Sequence, residues 1–194
     1  GSTFPERIVV VGGHLDAWDL GQGAHDDGAG CVHALEAVRL LQACVEKAKP
    51  GLPTLDEIID AFTHPVLNRS ERGGPGWKAY FGLIAQVNNS TEFGGVIMTR
   101  YFDPVVREFV ALLRQVLPDC DARDLYWSYH FLSGALTLTF AETGRIDNLS
   151  GGVCKSSDLD SVHERLVPFV AAGFRALCAG GAGAARRAGR KGKA

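Results

Sequence analysis

The 194-residue sequence predicts an all-α fold: a helical domain over residues 52–178, preceded by a short strand–loop–helix segment of α/β type. Three observations predict it. After residue 52, apolar residues recur at three- and four-residue spacing in successive blocks. Breaks at Pro50-Gly51-Leu52-Pro53, Gly73-Gly74-Pro75-Gly76 and Pro118 separate those blocks. Ahead of them, residues 7–12 (Arg-Ile-Val-Val-Val-Gly) form a β-branched run ending in glycine, the pattern of a buried parallel strand.

The elements follow in order. Residues 13–30, rich in Gly, Asp and His, read as a loop, and residues 31–46 as a helix with Val32, Leu35, Val38, Leu41 and Val45 on one side. Thr54-Leu55-Asp56-Glu57 fits a capping box and opens a helix carrying Leu55, Ile58, Ile59 and Phe62. The pattern then predicts a helix over about 77–87 and a shorter one from about Glu92. Asp103 and Pro104 suit a cap and first turn of a helix through Leu117. Asp121 or Asp124 starts the next, to about Gly144, with Leu125, Tyr129, Leu132, Leu136 and Phe140 as its stripe. A loop at 147–152 precedes a last helix, capped by Ser156 or Ser157 and ending near Cys178. Its apolar face runs from Val162 through Leu166, Phe169, Val170, Gly173 and Phe174 to Leu177, with a kink expected at Pro168. Residues 179–194 read as a flexible basic tail.

Composition narrows the function classes. Hydrophobic residues make up 46% and charged residues 22%, an ordinary globular mix. No apolar run approaches the roughly 20 residues of a membrane span, so no membrane partner is expected. The formal net charge is −2, but five basic residues lie in the tail, which leaves −7 for residues 1–179. A body that acidic is a poor partner for phosphates. The opening Gly1-Ser2 and the single methionine at Met98 read as a chain trimmed by cleavage, without a signal peptide. The five cysteines lack any Cys-x-x-Cys pair, so reduced thiols and a cytoplasmic location are expected and disulfides are not.

Two segments carry chemistry. In 12–30, His14 offers an imidazole to a divalent ion, Asp16 a carboxylate to orient it, and Asp26 a bridge between two ions; the competing reading is a solvated polar loop. Residues 4–41 closely resemble the first metal-binding segment of co-catalytic zinc metallopeptidases of the plasma glutamate carboxypeptidase type. The resemblance implies His14 as a zinc ligand, Asp26 as the bridging ligand and Asp16 as the residue that orients His14. It also implies a Glu pair after a further strand, and a later Asp and His. Asp56-Glu57 is explained by the capping box instead, and His64, His130 and His163 read as surface or pocket residues. No confident catalytic residue emerges, and the chain leans away from being an enzyme; if it is one, it is a zinc exopeptidase with an incomplete di-zinc site.

The helical block is dense in aromatics: Trp77, Tyr80, Phe81, Phe102, Tyr126, Trp127, Tyr129 and Phe131. Such stripes form cores, or line an apolar pocket where a polar group such as His130 joins them. The stretches 53–67, 101–118, 126–136 and 156–177 resemble the C-terminal effector-binding and dimerisation domain of TetR-family transcriptional regulators. That resemblance implies a helical domain, a twofold homodimer through its last two long helices, and a cavity for a hydrophobic small-molecule effector. Trp77, Phe81, Trp127 and His130 are the pocket residues chosen from pattern, and no cofactor is expected. The DNA-reading head of that family belongs where residues 1–45 stand. Residues 1–42 carry a net charge of −4 and no helix-turn-helix pattern, so no specific DNA binding is expected from this chain. The sequence reads as a chimera, joined near residues 42–52. Its first 45 residues, lacking a parent sheet, are expected to refold onto the helices or lose order.

Overall fold

The computed structural model describes residues 28–92 and 94–179. Among the described residues eight helices follow one another: α1 (Gly28–Ala48), α2 (Leu55–Arg72), α3 (Pro75–Asn88), α4 (Gly94–Tyr101), α5 (Asp103–Val116), α6 (Ala122–Phe140), α7 (Arg145–Leu149) and α8 (Leu159–Cys178). No strand occurs among the described residues. The expected strand over 7–12, most of the loop over 13–30, and the tail beyond Ala179 lie outside them. No described helix is long and apolar enough to cross a membrane.

Local chemistry sets the helix ends. The capping box forms as read: the Glu57 amide donates to Thr54 Oγ1 at 3.3 Å, and the Thr54 amide donates to the Glu57 carboxylate at 2.8 Å. The bonds that the Thr54 amide and hydroxyl donate to the Glu57 carboxylate hold it below its ordinary pKa. Gly73 ends α2, and a Cβ there would run into the Arg69 carbonyl and the Trp77 ring. Asp121, not Asp124, caps α6, accepting from the Arg123 amide at 2.8 Å.

Three boundaries differ from the sequence reading. Asp158 caps α8 through the Ser161 amide at 3.0 Å, in place of Ser156 or Ser157. Ser156 is occupied elsewhere, its amide donating to Asp147 at 2.8 Å. Phe102 occupies the cap position of α5, which moves Asp103 and Pro104 one place into the first turn. The α6 helix stops at Phe140, and the segment read as a loop contains the short helix α7.

The core lies between α2, α5, α6 and α8. Ile58, Ile59, Phe109, Leu113, Leu125, Leu132 and Phe174 are almost completely buried in it. Phe109 stacks on Phe62 with ring centroids 4.2 Å apart. The α1 helix, which the sequence assigns to the peptidase-like segment, docks here. Leu41 and Val45 join the main cluster, while Ala37 and Val38 pack with Val105 and Phe62. That part of the segment is therefore folded onto the helices.

The cysteines correct the sequence reading of free thiols: Cys120 and Cys178 form a disulfide. The bond ties the α5–α6 turn to the end of α8, positions 58 residues apart that only the packing of α8 brings together. Cys44 and Cys154 are free.

Candidate functional site

The helices α3 and α4 bury few residues and border a cavity. Only Phe81 and Ala85 of α3, and Gly94 of α4, are buried. Between these helices and α2, α5 and α6 lies a cavity of about 110 Å³. An apolar cavity of about that size holds a ligand of one aromatic ring. Phe62 and Val66 of α2, Phe81 and Ile84 of α3 and Met98 of α4 supply apolar wall. Phe102, Val105 and Val106 close it from α5 and its cap, and Leu136 and Phe140 from α6. Phe81 and Phe140 stack on each other in its wall at 4.9 Å. Ala37 brings α1 to its edge.

One polar strip interrupts this wall. Asn88 at the end of α3 donates its amide to Thr137 Oγ1 at 2.8 Å and to Ser133 Oγ at 3.3 Å. Ser133 and Thr137 stand four residues apart on α6, so both face the cavity. Tyr129, one turn earlier, completes the strip. Burial pushes its phenol up to about 12, with the Asp103 charge adding and a Ser133 hydrogen bond opposing. At neutral pH the ring therefore carries a proton. The strip offers hydroxyls and an amide but no charge, which suits a neutral polar group on an otherwise apolar ligand.

Of the four pocket residues chosen from pattern, the structure places Phe81 on this wall and the other three elsewhere. Trp77 lines a second cleft with Leu40, His64, Asn68 and Arg69, under the Arg69 guanidinium at 5.3 Å. Trp127 and His130 stand on the outer face of α6, in edge contact with each other at 5.4 Å. The wrong helix face explains the difference. Residues 127 and 131 share one side of α6 and 129, 133 and 136 share another, with exposed His130 at the border between them. A serine and a threonine four apart in an apolar helix were the available signal for the inner side. Nothing local to Asn88 pointed there.

The outer side of α6 and the exposed side of its packed neighbour α8 both carry apolar residues. Phe131 is 59% exposed, Leu138 66% and Phe169 75%, and Trp127 and Leu177 join them. Gly134 and Gly173 sit in this face with open space where a Cβ would point. Together these residues make an apolar surface on two adjacent helices, of the kind that monomers rarely leave bare.

His14, Asp16 and Asp26, the metal residues of the peptidase reading, lie outside the described residues. The pair Asp56-Glu57 serves structure: Glu57 completes the capping box and Asp56 pairs with Arg175 of α8.

Two families match different parts of the chain. Residues 60–173 match the tetracyclin repressor-like, C-terminal domain family. Residues 1–55 match peptidase family M28. Carboxypeptidase Q of Xenopus laevis is 37% identical over 83 residues, 43% of this chain and 16% of that protein. Carboxypeptidase Q of Homo sapiens is 55% identical over 42 residues, 22% of this chain and 9% of that protein. The chain thus spans at most about a sixth of these relatives.

Proposed function

Because the chain belongs to the tetracyclin repressor-like, C-terminal domain family, we propose that it is the ligand-binding and dimerisation domain of a transcriptional regulator. Its effector is a compact, mostly apolar molecule with one neutral hydrogen-bonding group. The cavity between α2, α3, α4, α5 and α6 carries this reading, through its apolar wall and the single strip of Tyr129, Ser133, Thr137 and Asn88. Trp127 and His130 belong to the dimer face in this reading, and Phe81 to the effector wall.

A thermal-shift screen of single-ring phenols and short-chain alcohols tests it. A hit raises the melting midpoint in proportion to the logarithm of its concentration. Phe81→Trp fills the cavity and abolishes the shift, and Asn88→Ala weakens it for hydroxylated compounds only. A hit that stabilises the Phe81→Trp chain as well as the unaltered one binds somewhere else. The exposed face of α6 and α8 supports a homodimer. Phe169→Glu together with Phe131→Lys converts that dimer to monomer in sedimentation analysis; a monomeric unaltered chain defeats this part of the proposal.

A second reading rests on the match of residues 1–55 to peptidase family M28. In it, His14 and Asp26 hold zinc with Asp16 behind them, and the chain contributes to an exopeptidase. Chelator-sensitive hydrolysis of dipeptides, lost in His14→Ala, favours this reading; an inactive chain with a ligand-responsive cavity favours the first. The DNA-reading head of the regulator family has no counterpart in the acidic residues 1–42, so operator recognition falls outside the proposal.

A further inference from the structure

The seam between α2 and α8 is a row of polar pairs. Asp56 of α2 meets Arg175 of α8, and Arg72 of α2 meets Asp160 of α8 at 3.2 Å. In each, a guanidinium occupies the carboxylate. Asp60 differs: it meets His163 of α8, with Nε2 2.7 Å from Oδ1. His64 stands one turn after Asp60 on α2, and its ring lies edge-on to that of His163 at 4.8 Å. One ligand atom from each of Asp60, His64 and His163 lies within 4.8 Å of the others.

We propose that Asp60, His64 and His163 form a site for Zn2+ or another late first-row divalent ion. Two imidazoles and one carboxylate are the donor set that borderline divalent ions prefer. Bonds of about 2.0–2.1 Å in a tetrahedron put donors roughly 3.3 Å apart, so small rotamer changes bring the three to a common centre. The Asp60 and His163 atoms then separate slightly, and the proton between them moves to the other ring nitrogen or to solvent. One carboxylate leaves the ion a net positive charge, and the fourth position is filled by water. His64 and Asp60 are partly or fully open to solvent, so the ion has an entry path. Residues 103 positions apart supply the donors, and the ion would clasp α2, a wall of the effector cavity, to α8, which carries Phe169. The sequence reading took His64 and His163, each in a helical pattern, as surface or pocket residues.

The test separates this site from the one implied at His14 and Asp26. Zn2+ is titrated calorimetrically into the full chain carrying His14→Ala and Asp26→Ala, and the zinc-induced change in melting midpoint is measured alongside. One Zn2+ per chain is expected. His64→Ala or His163→Ala in the same background lowers affinity tenfold or more. His163→Asn keeps a hydrogen-bonding group for Asp60 and guards against misfolding. It melts normally without metal and loses the zinc-induced shift. Failure of the His14→Ala/Asp26→Ala chain to bind Zn2+ overturns the proposal. So does binding that His64 and His163 substitutions leave unchanged.

Discussion

The α2–α5–α8 side of the molecule and its α3–α4 side are both rich in apolar residues, yet they use them differently. On the first, Ile58, Ile59, Phe109, Leu113 and Phe174 meet one another directly and no more than 1% of any of them remains exposed. On the second, Ile84, Met98 and Phe102 face a space instead of a partner. The difference teaches that helical periodicity finds an apolar side without saying whether anything fills the volume opposite. A close-packed side gives the domain its stability, and a loosely closed side leaves room for a ligand.

The largest expected effect tests the packing side of this contrast. Phe109→Ala removes a ring stacked on Phe62 and tilted against Tyr129, and is expected to cost about 3–5 kcal/mol. Met98→Ala, on the cavity wall, is expected to cost less than half as much, because its side chain already borders space. Urea denaturation of both variants gives the comparison, and equal losses would erase the distinction between the two sides.

Next comes alkaline pH, which probes the polar strip. Tyr129 titrates near 12 in the folded chain against an ordinary value of 10. The folded state therefore binds more protons than the unfolded one between these values. Its stabilisation is complete below pH 10 and is lost as pH rises toward 12, on the order of 2 kcal/mol. Tyr129→Phe removes this component of the pH dependence, as denaturation at pH 9 and 11.5 would reveal. A bound ligand that accepts from the phenol sharpens the effect.

The smallest effect is local to the packed side. Thr54→Ala removes one half of the capping box at the start of α2 and is expected to cost about 1 kcal/mol. The Glu57 carboxyl then returns toward its ordinary value, a change that NMR titration reads directly. A null result means that docking of α2 alone fixes its first turn.

Much of the architecture was legible before any coordinates. The capping box at Thr54, the break at Gly73-Gly74 and the stripe of Leu125, Tyr129 and Leu132 each span no more than about two turns of chain, so their consequences are local. The candidate site was legible only in part. Phe81 reaches the cavity as the aromatic pattern suggested. Trp127 and His130 belong to the same pattern but are exposed on α6, and the sequence shows the exposed and the inner sides alike as apolar. A helix with one greasy face declares its orientation; a helix with two does not.

Residue order alone thus determined which segments coil, where most of them begin, and that two stretches resemble different families. Tertiary structure decided which side of α6 encloses a cavity, that Cys120 and Cys178 bond, and that Asp60 and His64 meet His163. The physical reason is range. Hydrogen bonds and caps act over three or four residues, whereas these meetings span 45 to 103 positions and depend on how α8 and α3 dock.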